Sequence, residues 1–219
     1  MSKLALILFD FDGTVIDGSE GIYNCINYAL EKMGLPLPDE NTLRKFIGPS
    51  LFDSFRAYCE DDAEKADRFA ALYRERYAPT GYAEARLYDG IEDVFAELKN
   101  DGYKVAICSS KPYDFVVKIA RKLGIFDMMD GFFCPGFSSR TSEKHELIAE
   151  GAARFGVTAD ETLMVGDRCF DIDAAVKAGV HSLGVRYGFS EGDELERSGA
   201  ERVAETVADI CPMIKELSV

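Results

Sequence analysis

The sequence has no apolar run long enough for a secretion signal or a membrane span. The longest early run covers residues 4–9 and ends at Asp10, whereas a secretion signal needs about 7–15 apolar residues after a basic start. A membrane helix needs about 20. The six cysteines are scattered and include no CxxC pair, a spacing that suits neither a zinc site nor a small disulfide framework. We therefore expect a soluble cytoplasmic protein whose cysteines are mostly buried free thiols.

Basic residues are also scarce. Lys and Arg together number 25 against 39 Asp and Glu, which gives a formal net charge of −14. Such a surface repels nucleic-acid backbones and anionic membranes, so we expect neither as a partner. An anionic ligand would need a local cation to reverse this field. With 47% hydrophobic residues in 219, the chain can bury a large core, and we expect a monomer or weak dimer.

The pattern of apolar residues predicts an α/β protein. Residues 4–9 form a continuous apolar run, typical of a strand buried on both faces of a parallel sheet. After Gly81, helical and strand patterns alternate. The predicted strands are 104–108, 131–134, 162–165 and 182–185, and the predicted helices are 91–100, 112–123, 143–155, 172–178 and 207–217. This alternation predicts a Rossmann-like parallel sheet with helices on both faces.

A helical segment interrupts the predicted sheet after its first strand. Apolar residues recur at helical spacing after Ser19 and again over 41–47, 51–59 and 63–77. Proline and glycine separate these stretches, and no convincing strand lies among them. We therefore expect an α/β core formed by residues 1–16 and 82–219, with residues 17–81 inserted as a helical cap.

Polar residues follow the predicted strands at one edge of the sheet, where ligands bind in folds of this class. They are Asp10, Asp12, Ser109, Ser110, Lys111, Lys144, Asp167 and Asp171. Four carboxylates in one place cannot all ionise without compensation. A hard cation such as Mg²⁺ is the usual compensation. The two serines precede a predicted helix, whose free N–H groups and dipole favour phosphate.

The charges at this edge of the sheet suggest which aspartate carries a proton and which one acts as the nucleophile. The formal charges of the site still add up to a negative value when four aspartates, Lys144, a divalent cation and a phosphate dianion are counted. The site therefore favours retention of one proton. We place that proton on Asp12. Asp10, beside the cation and Lys144, stays ionised and can attack phosphorus.

Four segments together resemble the motifs of the haloacid dehalogenase superfamily, in order and at fitting spacing. They are residues 10–14 (DFDGT), Ser109, Lys144 and residues 166–171 (GDRCFD). The helical insertion and the segment 184–200 are similar to the phosphoglycolate phosphatase-like branch. One departure is that Lys144 is followed by His145 and Glu146, whereas proline is common there.

The resemblance implies a covalent mechanism. Asp10 would be the nucleophile that forms an aspartyl-phosphate, and Asp12 would protonate the leaving oxygen and then activate water. Ser109 and Lys144 would hold the phosphoryl group. The N–H of Phe11 would assist, and Ser110 could share the role of Ser109. The implied Mg²⁺ ligands are Asp10, Asp12 through its backbone carbonyl, Asp167 and Asp171.

Substrate specificity would depend on the turn at residues 46–50, which matches the cap loop that reads the leaving group in this branch. Its candidate polar contacts are Arg44, Lys45 and Ser50, with Lys111 and Arg140 on the core. Each of these cations could also be an ordinary surface charge.

The sequence thus predicts a Mg²⁺-dependent phosphatase for a small phosphorylated metabolite, of the phosphoglycolate or nucleoside monophosphate type. Asp12 argues against a dehalogenase, which needs no protonated second carboxylate, and against a phosphonatase. A sugar-phosphate mutase of the same branch keeps every motif and stays open. A non-catalytic binding protein on this scaffold is a further alternative, which the presence of both Asp10 and Asp12 disfavours.

Overall fold

A parallel sheet forms the centre of the computed structural model, which describes residues 3–48, 51–136 and 143–218. In this part of the chain the strands are β1 (Leu6–Phe9), β2 (Ile16–Asp17), β3 (Arg86–Leu87), β4 (Lys104–Cys108), β5 (Gly131–Phe133), β6 (Thr162–Gly166), β7 (His181–Val185) and β8 (Arg202–Ala204). Six of them form one parallel sheet in the order β5-β4-β1-β6-β7-β8. The predicted α/β class with a parallel sheet is confirmed.

Helices cover both faces of this sheet, and a further group is inserted after β1. The helices described are α1 (Ser19–Met33), α2 (Glu40–Arg44), α3 (Leu51–Tyr58), α4 (Ala63–Tyr77), α5 (Ile91–Asn100), α6 (Tyr113–Lys122), α7 (Lys144–Phe155), α8 (Cys169–Ala178), α9 (Glu194–Arg197) and α10 (Ile210–Leu217). Among the residues described, none of these helices is long and apolar enough to cross a membrane.

The central strand β1 is apolar throughout because both of its faces are covered. Ile7 and Phe9 point into one apolar cluster, which they share with α5, α6 and α10. Leu6 and Leu8 point into a second cluster, which they share with α7 and α8. The strand therefore shows no alternation of polar and apolar residues, as expected for a strand in the interior of a parallel sheet.

The inserted helices α1 to α4 have an apolar core of their own. It is rich in aromatic rings, and Phe46, Phe55 and Phe69 lie within 6.1 Å of one another by ring centroids. Asp39 caps α2 by accepting from the N–H of Thr42. Phe189, from the loop after β7, also belongs to this cluster, so a core loop contacts the inserted helices.

The structure corrects several details of the sequence prediction. Residues 16–17 form a short strand that pairs antiparallel with residues 86–87 at the base of the insertion, where no strand was expected. Two residues are too few to produce an alternating pattern. The strand β8, with three residues, and the helix α9, with four, are likewise too short to produce a clear pattern, and neither was predicted. The helix expected at 172–178 begins earlier, at Cys169, and the one expected at 207–217 becomes an α-helix only at Ile210.

Candidate active site

Three buried carboxylates meet at the carboxyl edge of the sheet. Asp10 follows β1, Asp167 follows its neighbour β6, and Asp171 lies in the first turn of α8. Their side chains offer oxygens that all lie within 4.8 Å of one another, and the residues are at most 5% exposed. Adjacent parallel strands end at the same edge of a sheet, so the topology itself brings these charges together.

Two backbone N–H groups and one hydroxyl hold this acidic cluster by hydrogen bonds. The N–H of Phe189 donates to Asp167 at 2.7 Å, and the Thr14 hydroxyl donates to its other oxygen at 3.3 Å. The N–H of Arg168 donates to Asp171 at 2.9 Å. Fixed N–H donors of this kind favour the ionised form of a carboxylate and hold it in one orientation.

Lys144 supplies positive charge to the cluster. It is the first residue of α7, and its ammonium donates to Asp10 at 2.6 Å and also to Asp171. Burial acts to lower the pKa of Lys144, but the two carboxylates outweigh it and the pKa is raised. Lys144 therefore stays protonated between the two aspartates. A protonated Lys144 can stabilise negative charge on Asp10.

One lysine does not balance the three carboxylates. Burial raises the pKa of Asp167 well above its ordinary value, and the charges of Asp171 and Asp10 add to the shift. The pKa of Asp171 is raised to about 6 by burial and by Asp10, although Lys144 opposes the shift. The cluster thus favours additional positive charge, and its hard oxygen donors are of the kind that bind Mg²⁺.

Asp12 lies beside this cluster and pairs with Lys111. The Lys111 ammonium donates to both oxygens of Asp12, at 2.8 and 3.0 Å. The side chain of Lys111 is only 9% exposed, so the alternative that it is an ordinary surface charge is wrong. Burial raises the pKa of Asp12, which is the direction that the predicted proton requires, and Lys111 opposes this shift.

The serines and Phe11 complete the edge. Ser109 follows β4 and is 3% exposed; its N–H donates to the carbonyl of Phe133 and its hydroxyl accepts from the N–H of Lys111. Ser110 is half-buried. The ring of Phe11 is fully buried in the sheet core, so this residue can serve the site only through its backbone.

The loop after β7 forms one wall of the acidic cluster. A Cβ on Gly188 would collide with the carbonyl oxygen of Gly13 and would lie 2.5 Å from Cβ of Asp167, so only glycine fits there. The hydroxyl of Tyr187 donates to the carbonyl of Thr14 at 2.7 Å. In the sequence this segment appears only as part of a family resemblance, and no local pattern marks its contact with Asp167.

A buried arginine joins the site to the inserted helices. The guanidinium of Arg168, between the two aspartates of the last motif, donates to the carbonyl of Ile47 and to Glu194, the latter at 2.7 Å. Gly48 has φ of +113°, and a Cβ there would lie 2.8 Å from Cγ of Arg168. The turn that sequence analysis assigns to specificity is therefore in contact with the acidic motif.

The predicted specificity residues lie in different surroundings. The guanidinium of Arg44 lies 5.4 Å from the ring centroid of Phe189 and is half-buried, whereas Lys45 is exposed. Ser50 and Arg140 lie outside the described residues. Among the predicted residues described, the motif residues Asp10, Asp12, Ser109, Lys144, Asp167 and Asp171 thus come together, along with Lys111.

Comparison with known proteins decides the family. The family model described as haloacid dehalogenase-like hydrolase matches residues 7–185. The chain belongs to the haloacid dehalogenase-like hydrolases. It is 36% identical over 189 residues to a 5′-nucleotidase from Pseudomonas aeruginosa, covering 86% of each chain. It is 27% identical over 222 residues to a phosphoglycolate phosphatase from Nitrosococcus oceani, covering 96% of each.

Solved structures agree with this assignment. The crystal structure of a protein described as a predicted phosphatase from Clostridium acetobutylicum superimposes with a TM-score of 0.93 at 32% identity. The match covers 98% of this chain and all of that one. The predicted superfamily, the fold and the expected enzyme class, a phosphatase of this hydrolase family, are therefore confirmed.

Proposed function

We propose that this hydrolase releases phosphate from a small phosphomonoester in a Mg²⁺-dependent reaction that passes through a covalent phosphate on Asp10. The observation that carries the proposal is the Asp10 carboxylate, held by the Lys144 ammonium at 2.6 Å with Asp12 two residues away. A carboxylate held by an ammonium beside a second, partly buried carboxylic acid is suited to nucleophilic attack with acid assistance. The relatives named 5′-nucleotidase and phosphoglycolate phosphatase support a phosphate ester of a nucleoside or a small hydroxy acid.

The acidic cluster fits Mg²⁺. Asp10, Asp167 and Asp171 would hold it, with the backbone carbonyl of Asp12 as a further ligand, because their oxygens already lie together and burial raises the pKa of Asp167 and Asp171. When bound, Mg²⁺ would neutralise negative charge on the phosphoryl group and so lower the barrier to attack by an anion.

The residues of the chain then divide the reaction into two steps. An oxygen of Asp10 forms a bond to phosphorus while the bond from phosphorus to the ester oxygen breaks, and Asp12 gives its proton to that oxygen. In the second step Asp12 takes a proton from water, whose oxygen attacks the phosphorus and releases Asp10. Ser109 and Lys144 would contact the phosphoryl oxygens throughout, and backbone N–H groups near Phe11 and Ser110 would add donors.

The inserted segment 17–81 would act as a cap over this edge. Two contacts support that role, the bond from Arg168 to the carbonyl of Ile47 and the packing of Phe189 into the core of the inserted helices. A cap that closes on the substrate would keep bulk water away from Asp10 until the leaving group has departed.

The test is phosphate release from a panel of nucleoside monophosphates, sugar phosphates and 2-phosphoglycolate, with Mg²⁺ and with excess EDTA. We expect release with Mg²⁺ only, and a loss of about 10³-fold or more in Asp10→Asn, since the nucleophile is gone. Asp173→Asn is the matched control, because Asp173 is exposed on α8. A folded Asp10→Asn protein with near-normal turnover would refute the assignment. Conversion of a sugar phosphate to its isomer without free phosphate would identify a mutase instead.

A further inference from the structure

We propose that Lys111 is a positioning residue for Asp12, and that Tyr77 of the inserted helix α4 holds Lys111 in place. This inference rests on the proposed function, since it concerns the residue that would move the proton. It also assigns Lys111 differently from the sequence analysis, where Lys111 is a candidate substrate ligand. We call the three side chains Asp12, Lys111 and Tyr77 the clamp.

The first part of the clamp is the double contact between Lys111 and Asp12. Two bonds of 2.8 and 3.0 Å from one ammonium reach both oxygens of the carboxyl group. The exposed fractions of the two side chains are 9% for Lys111 and 15% for Asp12. In such an enclosed place, competition from water is weak, so the contact fixes the plane of the carboxyl group.

Backbone constraints fix both ends of this contact. Gly18 closely approaches Asp12, since a Cβ there would lie 2.6 Å from an oxygen of Asp12. Lys111 is the third residue after β4, and its N–H donates to the Ser109 hydroxyl at 3.3 Å. The carboxyl group thus contacts an ammonium and is closely approached by the backbone at Gly18.

The second part of the clamp comes from the inserted helices. The Lys111 ammonium lies 5.1 Å from the centroid of the Tyr77 ring, a distance at which a cation is attracted to the face of an aromatic ring. The Tyr77 ring is itself fixed, since it stacks on Tyr73 at 5.2 Å and meets the edge of Phe115 at 4.9 Å. Because Tyr77 lies on α4, the clamp is complete only when α4 rests on the core.

A role as substrate ligand is harder to reconcile with this geometry. To reach a substrate anion, Lys111 would have to leave Asp12. The largely buried carboxylate of Asp12 would then lose the ammonium that pairs with it. Breaking a buried pair in this way is strongly unfavourable. Lys111 is therefore better placed to act through Asp12 than to bind the leaving group directly.

The experiment compares Lys111→Met with Lys118→Met. Lys118, on α6, is a good control because its ammonium also lies over a tyrosine ring, that of Tyr82, and reaches the carbonyl of Ala78 in the inserted segment, yet it is exposed. The substrates are p-nitrophenyl phosphate, glycerol 2-phosphate and 2-phosphoglycolate. The leaving group of p-nitrophenyl phosphate needs no proton. The leaving group of glycerol 2-phosphate is an uncharged alcohol that needs a proton. The leaving group of 2-phosphoglycolate also needs a proton and carries a carboxylate.

We expect Lys111→Met to lower kcat/KM about 10- to 100-fold for both alkyl phosphates and less than about 3-fold for p-nitrophenyl phosphate, since displaced acid catalysis affects only the leaving groups that need a proton. Lys118→Met should leave all three values within about 3-fold of the wild type. Tyr77→Leu should show a smaller loss with the same selectivity, whereas Tyr82→Leu should not. A loss confined to 2-phosphoglycolate would mean that Lys111 binds the substrate, and an equal loss on all three would also overturn the proposal.

A double variant tests whether Lys111 acts through Asp12. In the Asp12→Asn background there is no acid to position, so Lys111→Met should lower kcat/KM for glycerol 2-phosphate by less than about 3-fold further. Full additivity of the two losses would overturn the proposal.

Thermal unfolding keeps the clamp testable without activity. Lys111→Met should lower Tm by several degrees, and Asp12→Asn added to it should restore most of that loss because the unpaired carboxylate is removed. A double variant that unfolds no later than Lys111→Met would overturn the clamp. Absence of Mg²⁺-dependent phosphate release by the wild type would instead refute the proposed function, and the unfolding measurement would still decide on the clamp.

Discussion

Replacement of Arg168 by methionine will destabilise the protein by separating the acidic motif from the inserted helices. Arg168 is 7% exposed and joins two distant elements, with its guanidinium bonded to Glu194 at 2.7 Å and to the carbonyl of Ile47. Methionine keeps the apolar stem of the side chain and removes every donor. The carboxylate of Glu194, whose side chain is only 14% exposed, and the carbonyl of Ile47 then both lose a partner.

The size of the effect follows from these contacts. Loss of one partner from a buried ion pair costs about 3–5 kcal/mol when the pair is fully buried. Since Glu194 can regain some hydration, we expect a fall of about 2–4 kcal/mol in the free energy of unfolding. For a chain of this length each kcal/mol corresponds to about 2–4 °C in Tm, so Tm should fall by about 4–16 °C.

Arg186→Met is the matched control. Arg186 makes the same kinds of contact, with Glu205 at 3.0 Å, with Glu196 and with the carbonyl of Gly192 at 2.8 Å, but its side chain is 29% exposed. The variant removes the same charge, and its two partly exposed pairs together contribute about 1 kcal/mol, since each such pair contributes about 0–1 kcal/mol. Its Tm should therefore fall by less than about 4 °C.

Calorimetry at pH 7 measures both transitions, and hydrogen exchange follows the amides of residues 42–48. In Arg168→Met these amides should exchange faster than in Arg186→Met, because the carbonyl of Ile47 has lost its contact with the core. Equal Tm values for the two variants, or unchanged exchange in this turn, would show that Arg168 does not join the two parts of the molecule.

Other measurements test further features of the site. In EDTA, Tm should fall as the pH rises from 5 to 8, because the folded-state pKa of Asp171 is raised to about 6 and stability is lost as this group gives up its proton; a Tm that rises with pH would contradict this. Gly188→Ala should destabilise by about 1–3 kcal/mol and lower activity, because its Cβ would collide with the wall of the acidic cluster. Its control Gly136→Ala, whose Cβ would meet nothing within 4 Å among the described residues, should be neutral in thermal unfolding. Arg44→Ala and Lys45→Ala should raise KM for the natural substrate, about 10- to 150-fold for whichever cation contacts a charged leaving group, and should leave p-nitrophenyl phosphate hydrolysis unchanged. Parallel losses on both substrates would place specificity elsewhere in the inserted segment.

The sequence predicts the acidic edge well because strand ends are local features. A buried apolar run followed by Asp10 or by Asp167 predicts where a strand stops. In a parallel sheet those stops share one edge, so their convergence needs no knowledge of long-range contacts. Helices such as α4 and α5 were predicted to the residue for a similar reason, since each has a full amphipathic period between clear breakers.

The contacts that join distant segments could not be predicted in the same way. Lys111 meets Asp12 across 99 residues of sequence, and Arg168 meets Ile47 across 121. A charged side chain in a loop is exposed in most proteins, so the local sequence favours the wrong environment for both cations. Phe189 likewise has an apolar side chain of no particular pattern, and its importance comes from the N–H that it donates to Asp167.

The position of β1 in the sheet sets the order in which the molecule can be assembled. Leu6 pairs with Lys104 on one side and with Thr162 on the other, so a growing chain exposes its most apolar strand long before either neighbour has been synthesised. The helices of residues 19–77 have their own aromatic core and can form during that interval, whereas the sheet must wait for distant partners. Until β6 leaves the ribosome, β1 keeps one open edge, and an open apolar edge is a template for pairing with other chains. Chains that stop before residue 162 should therefore aggregate during synthesis, even though Asp10, the first residue of the acidic cluster, is already present.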